Sequence, residues 1–408
     1  MGEGDGAVKV AEVINVPWWN AAAEYCITIA DAMSKRGHGV VILCEKGTPS
    51  YGKAVELNLQ TNTMLDFRPT HLFSDLLSIR HAFRTMYSDV QLVNVHTSHA
   101  QTLFASARAL FGLRYGLVRT RVDSRGIKRY PFNRLSYRSM DGIIVANRAD
   151  QREVGSFAGL PDNLIRTIHA GVDTARFRQA SDRPGKRQGF NIPRDVHVIG
   201  NIARRSPVKG HDVFFKSAQL IHNDVKDVFF VAAGVDDTVL LEDLRNMAEQ
   251  AGVLEKTLFL DYVDDIEGLI GCLDVGIVSS IGSENHSRIT LEYMACGVPV
   301  VGPDVGDIPE LIDDRKTGFI VKPGDFVAMA DAVIRLLKDR ELREVFGYNA
   351  RKLAEQRFST SSFAEATEVF YMEVIGRKRY ARRTSLESEG LSDNAEKGNE
   401  EDGAGRKA

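Results

Sequence analysis

Short apolar runs alternate along this chain with stretches in which apolar residues return every three or four positions. Val8–Val16, Val40–Cys44, Val90–His96 and Gly116–Thr120 are such runs in the first half. His197–Ala203, Val228–Ala233, Thr257–Leu260 and Val275–Ser279 repeat the pattern in the second. Runs that are apolar throughout, rather than at alternate positions, predict strands covered on both faces, as in parallel sheets. Helical spacing lies between them: Cys26, Ile27, Ile29, Ala30 and Met33 mark a helix over Ala22–Lys35, and Asp212–His222 a second. The series is interrupted once, at Ser181–Arg194 (SDRPGKRQGFNIPR), which is polar, holds Gly and Pro, and reads as a linker. The expectation is an α/β protein of two doubly wound, Rossmann-like domains, residues 1–180 and 195–360, joined by residues 181–194. A last amphipathic helix follows over 361–380, with apolar positions at Phe363, Ala366, Val369, Phe370, Met372 and Val374. Residues 384–408 are polar and acidic and are expected to be disordered.

One stretch carries most of the chemistry: LDVGIVSSIGSENHSRITLEYMACGVPVVGPDVGDIPEL, Leu273 to Leu311. A strand leads into the polar loop SIGSENHS, then a helix that stops at Gly297 with Pro299 just beyond, then a second strand. The loop therefore opens at the carboxyl edge of a parallel sheet, where α/β proteins bind ligands. Glu284 stands in the loop and Glu292 inside the helix. By spacing alone the pair reads as one solvated loop acid and one exposed helix position. Apolar neighbours around Glu292 argue against that, since a carboxylate among them needs a polar partner. A ribose diol supplies two hydroxyl donors, and Glu284 would stand beside an anion at the helix N-terminus.

SENHSRITLEYMACGVPVVGPDVGDIPELI resembles the donor-site signature of retaining glycosyltransferases with the GT-B fold, family four. The two glutamates match Glu284 and Glu292, and the small-Gly-x-Pro-Val-Val run matches Cys296–Val301. The resemblance implies that Glu284 contacts the transferred sugar and Glu292 the nucleotide ribose. RRSPVKG resembles the family's Arg-x-x-x-x-Lys-Gly diphosphate motif, which would give Arg204 and Lys209 the charge that grows on the leaving diphosphate. Asn285, His286 and Ser287 stand where the family often has Gly-Phe-Gly; with Arg288 they complete the expected donor site. HAGVDTARF (His169–Phe177) resembles the turn before the crossover, and the last helix would cross back onto the first domain, leaving a cleft between two domains that face each other.

The implied activity is transfer of a sugar from a UDP- or GDP-sugar to a glycan or lipid-linked acceptor, in cell-envelope polysaccharide or lipopolysaccharide synthesis, with no cofactor. No D-x-D triplet is present to hold a metal, so none is expected. Acceptor-side candidates lie in the first domain. Asn20 stands in PWWNAAAEY, where the family has paired glycines. His96 and His99 follow a strand end. Arg121 and Asp123 flank Val122, where family members carry a histidine. Trp18 and Trp19 read as a sugar or lipid platform or as core. A sugar-nucleotide epimerase of the same fold and a non-catalytic nucleotide-sugar-binding protein are the competing readings.

Net charge is −3, but it is unevenly spread: residues 1–190 carry 25 Lys and Arg against 17 Asp and Glu, and residues 191–408 carry 27 against 38. Arg114–Arg138 holds eight Lys and Arg, one acid, and the aromatics Tyr130, Phe132 and Tyr137. With no nucleic-acid-binding module beside it, this segment points to an anionic acceptor and to peripheral contact with an anionic membrane surface, rather than to nucleic acid. Cys26, Cys44, Cys272 and Cys296 lie in apolar settings without metal spacing, as expected of reduced core thiols in the cytoplasm. Met1–Val13 has no apolar run of signal-peptide length, and no later stretch is long enough to span a bilayer.

Overall fold

The computed structural model describes residues 7–122, 126–235, 237–282 and 284–380. Two parallel sheets carry the molecule. The first contains β1 (Lys9–Val13), β2 (Gly39–Leu43), β3 (Gln60–Asn62), β4 (Leu92–Val95), β5 (Gly116–Arg121), β6 (Gly142–Val145) and β7 (Ile165–Thr167), in the order β3-β2-β1-β4-β5-β6-β7. The second contains β8 (His197–Ile202), β9 (Val228–Ala233), β10 (Thr257–Leu260), β11 (Val275–Ile277), β12 (Val300–Pro303) and β13 (Gly318–Val321), in the order β10-β9-β8-β11-β12-β13. Each sheet is covered by helices on both faces, which is why its strands read as unbroken apolar runs: Val10, Val13, Val93, Ile199, Phe230 and Val300 are all buried.

The direction of winding reverses between β1 and β4 in the first sheet and between β8 and β11 in the second. At such a point the loops after two neighbouring strands part, leaving a crevice at the carboxyl edge. Register there is fixed by Val10 opposite Leu92 and by Val275 opposite Ile199.

The chain crosses between the sheets twice, and the two crossings lie side by side. Val172 N–H donates to the Phe358 carbonyl at 2.8 Å, and Thr360 N–H to the Val172 carbonyl at 3.0 Å. The helix over 360–380 then returns to the first sheet, where Phe363, Phe370, Tyr371, Val374 and Ile375 join the same apolar cluster as Val10, Ile42 and Ile144. Its Tyr371 hydroxyl donates to the buried Glu12 carboxylate at 2.8 Å.

The segment expected to be a linker is more ordered than its composition suggests. Arg183–Gly189 is a helix capped by the Asp182 side chain, and Arg187 inside it is buried, donating to the Asp274 carboxylate at 2.8 Å and to the Cys272 carbonyl. An Arg–carboxylate pair at the base of β11 outweighs the local Gly and Pro signal. β11 is also shorter than its apolar run, ending at Ile277. The four cysteines are free and buried. The acidic stretch 384–408 lies outside the described residues.

Candidate functional site

The loop after β8 leads into the helix His211–Asp224 through a tight turn at Gly210, whose φ is +62°. A Cβ built there would stand 2.1 Å from the Ser279 carbonyl at the end of β11, so glycine lets the two loops of the reversal point touch. Lys209, one residue earlier, reaches across this contact and donates to Glu284, which also accepts from the Ser280 hydroxyl. Glu284 is buried, and the ammonium and hydroxyl supply the polar partners that such a carboxylate requires.

Arg204, five positions upstream, is exposed and pairs with Asp237 at 2.9 Å rather than with Glu284. An exposed pair of this kind is held weakly, so the guanidinium is free to turn toward a more charged anion. Its neighbour Arg205 is the buried one, donating to Asp261.

The loop that carries Glu284 is braced from below by Gly306 and Asp307. Asp307 N–H donates to the Glu284 carbonyl at 2.8 Å, and the Ser287 N–H donates to both oxygens of the Asp307 carboxylate at 3.0 Å. Gly306 has φ +60°, and a Cβ on it would overlap the Glu284 carbonyl at 1.8 Å. Burial, reinforced by Glu284 and Glu310 nearby, pushes the Asp307 carboxyl well above the usual carboxylate range. One amide expected for phosphate, that of Ser287, is thus already committed to protein. The Ser287 hydroxyl is shared with Thr290 at 2.8 Å.

From the facing domain, Asn147 and Asp150 reach the same loop. Asn285 Nδ2 donates to Asp150 Oδ2 at 2.9 Å, and Asn147 Nδ2 to the Asn285 carbonyl at 3.4 Å. Glu310 adds two more bridges, accepting from Arg148 N–H at 2.8 Å and lying 3.1 Å from His169 Nε2.

The helix after the loop, Arg288–Ala295, turns Glu292 into a cleft of about 980 Å³ between the domains, together with His286, Arg288, Glu24, Arg176, Trp19 and Tyr262. Glu292 is buried, and burial raises its carboxyl to about 7 even though the Arg288 guanidinium beside it pulls the other way. His286 moves oppositely: burial, then the charge of Arg288, lowers it to about 4, so its imidazole is neutral at physiological pH.

The structure therefore gathers Glu284, Lys209, Ser287 and Asn285 at the β8/β11 reversal and Glu292, Arg288 and His286 in the adjoining cleft, while Arg204 stands outside both groups. The acceptor-side residues separate. Asn20 caps the helix Ala21–Lys35, its Oδ1 accepting from Ala23 N–H at 2.9 Å, so the residue fills a local structural place. His96 is buried in the first core, its Nε2 2.7 Å from Glu12, where Asn94 and Tyr371 also converge; it does not reach the cleft. His99 lies near the edge of the Phe67 ring at the start of the helix Ser98–Phe111. Arg121 is buried 3.6 Å from Glu153. Asp123 lies outside the described residues. Trp18 and Trp19 are exposed, which excludes the core reading.

Glu24, Asn147, Asp150, Gly306, Asp307 and Glu310 belong to the same neighbourhood but escaped sequence reasoning. Only the Gly-Asp pair at 306–307, set among apolar residues, carried a local signal.

Two family models divide the chain between them: Glycosyltransferase Family 4 matches residues 22–176 and Glycosyl transferases group 1 matches residues 182–353. The chain belongs to the family-four glycosyltransferases. This family-four chain is 33% identical to D-inositol 3-phosphate glycosyltransferase of Saccharomonospora viridis over 244 residues, 58% of the chain and 56% of that protein. It thus spans little more than half the length of the curated relative. Among solved structures, a glycosyltransferase from Rickettsia africae superposes with a TM-score of 0.80 at 17% identity, covering 90% of this chain and 99% of the other. Anabaena Alr3699/HepE in complex with UDP-glucose superposes at 0.72 and 20% identity, with 90% and 99% covered. These likenesses establish the GT-B fold for the family-four chain.

Proposed function

We propose that this protein transfers a sugar from a UDP- or GDP-sugar, with retention of anomeric configuration, to a glycan or lipid-linked acceptor in the synthesis of envelope polysaccharide or lipopolysaccharide. The observation that carries the reading is the buried Glu284 held by Lys209 at the reversal point of the second sheet. Glu292, eight residues beyond the loop acid, turns into the adjoining cleft.

As the glycosidic bond breaks, negative charge grows on the leaving diphosphate. Lys209 is placed to offset it, and Arg204 joins by exchanging its weak contact with Asp237 for the more highly charged phosphate. Glu284 faces the sugar ring, where positive charge develops, and Glu292 accepts the two ribose hydroxyls. For retention, the acceptor hydroxyl attacks from the face the diphosphate leaves, and a diphosphate oxygen takes its proton. No protein base and no metal are then required.

The acceptor would approach from the first domain, past Trp18 and Trp19. Its anionic or lipid-linked character is supported by the helix Pro131–Arg138, which presents Phe132 (58% exposed) and Leu135 (65% exposed) between Arg129, Arg134 and Arg138, beside a groove of about 600 Å³. Apolar side chains flanked by arginines suit the headgroup region of an anionic bilayer. Among the described residues no helix is long and apolar enough to cross a membrane.

Screening nucleoside diphosphates by thermal shift identifies the base, since a ligand at ~100 times its dissociation constant stabilises by ~2.7 kcal/mol. The decisive assay then follows release of the nucleoside diphosphate from each sugar nucleotide, with and without glycan acceptors. Acceptor-dependent release that persists in excess EDTA supports metal-independent transfer. Isomerised sugar nucleotide without release points to an epimerase, and binding without either reaction to a non-catalytic protein.

A further inference from the structure

Arg288 is the first residue of its helix, where the aligned peptide dipoles disfavour a cation. What holds it there comes from both domains. Its Nε lies 2.5 Å from Glu292 Oε1, four residues along the same helix, and its Nη1 lies 2.6 Å from Glu24 Oε1 on the helix Ala21–Lys35 of the first domain. One guanidinium thus joins the carboxylate assigned to the donor ribose and a carboxylate across the cleft. Glu292 Oε2 takes no hydrogen bond among the described residues, and Glu292 lines the cleft.

We propose that Arg288 and Glu24 are positioning residues for the donor nucleoside: Glu24, from the facing domain, anchors the guanidinium that orients the Glu292 carboxylate, so that a correctly presented ribose site exists only while the domains are closed. The proposal rests on the reading of Glu292 as the ribose ligand.

A ribose presents two neighbouring hydroxyls, and one carboxylate receives both only if it is ionised and its plane is turned to the sugar. A buried glutamate meets neither condition by itself: burial favours the neutral form, and free rotation about its last bond leaves the plane undefined. The forked guanidinium supplies both, fixing Oε1 in place while Oε2 keeps no protein partner among the described residues. The charges that bear on Glu292 are few. Arg288 favours the ionised form, Glu24 across the cleft opposes it, and Arg176 in the turn before the crossover favours it weakly. Arg176 is itself paired with Glu267 at 2.9 Å. Tyr293 and Cys296 on the same helix are neutral neighbours, both raised by burial. Glu24 consequently has two opposed effects. It steadies the guanidinium, which strengthens the ribose contact, and it repels Glu292, which makes that acid harder to ionise.

The opposition gives the test. Full-length protein, Glu24→Gln, Arg288→Met and Arg288→Lys are titrated calorimetrically with UDP and GDP and with their 2′,3′-dideoxy analogues, from pH 6 to pH 8.5. At pH 8 the Glu24→Gln and Arg288→Met proteins should bind the ribose forms roughly tenfold more weakly, the worth of one charge-assisted hydrogen bond, and the dideoxy forms as the parent does. Arg288→Lys should recover part of the loss. Arg288→Met should shift the pH at which ribose-dependent binding rises upward, and Glu24→Gln should shift it downward. Equal losses for ribose and dideoxy ligands, or unchanged affinity in both variants, would overturn the proposal. If the parent binds dideoxy and ribose forms alike, the reading of Glu292 itself fails, and this inference with it.

Discussion

At position 284 a carboxylate is already held by an ammonium and a hydroxyl before any ligand arrives, whereas at 292 burial raises the carboxyl to about 7 against the pull of Arg288. The two acids should respond differently to substitution. Glu284→Gln keeps the shape and the Ser280 contact but removes the charge, so kcat should fall, on the order of 10- to 100-fold, with little change in KM. Glu292→Ala removes binding needed equally before and during reaction, so KM should rise with kcat nearly constant. Steady-state kinetics on the preferred donor separate the two, and full activity in both variants would remove both glutamates from the donor site. Stability adds an independent check. Because the carboxyl of Glu292 is raised to about 7 in the folded protein, it binds a proton between roughly pH 4.5 and 7 that the unfolded chain does not, and it weakens the fold as pH climbs through that window. Glu292→Gln should therefore stabilise the fold at pH 8 by about 3 kcal/mol at most, raising the melting temperature, with the gain vanishing near pH 5. An equal gain at both pH values would exclude ionisation as its cause. Glutamates 284 and 292 were legible in the sequence because each sits in a patterned segment. Asp307, Glu310, Asp150 and Glu24 were not, since their partners are supplied by chain segments far away in sequence.

The strands of both sheets could be read directly, because burial on two faces leaves an unbroken apolar run. The segment 181–194 misled for the converse reason: its helix is secured by Arg187 reaching Asp274, a contact invisible to local composition. Short braces matter as much as the large elements. Gly306→Ala places a methyl against the Glu284 carbonyl and forces a residue with φ +60° into strain, so the loop should shift; melting should drop, and donor affinity should weaken more than a distant substitution of equal destabilisation would cause. Parental donor affinity in a folded Gly306→Ala protein would show that the brace does not shape the site. The helix Pro131–Arg138 makes a separate claim. Replacing Phe132 and Leu135 together with Ser should reduce sedimentation with anionic liposomes while leaving the folding stability within about 0.5 kcal/mol of the parent, because both side chains are already exposed. Binding should also decline with salt. Unaltered or salt-independent sedimentation would favour an acceptor free in solution.

At the scale of the molecule, two sheets meet through a small set of polar bridges and a doubled crossing, while the last helix locks to the first sheet. Tyr371 and Glu12 are the polar centre of that lock. Tyr371→Phe leaves one oxygen of a buried carboxylate short of a donor and should cost about 1–3 kcal/mol in denaturant unfolding; a neutral result would mean His96 and Asn94 suffice. The same lock bears on how the protein is made. Glu12 is synthesised well before the residue that completes its surroundings, which lies 359 positions later. At ~5–20 residues per second the first sheet, whose last strand ends at Thr167, waits roughly 10–40 seconds for its covering helix. During that time an apolar face meant for Phe363, Phe370 and Val374 has no partner. Of the two sheets, the one synthesised earlier is therefore the one finished later, and its open apolar face is exposed to misassociation in the meantime.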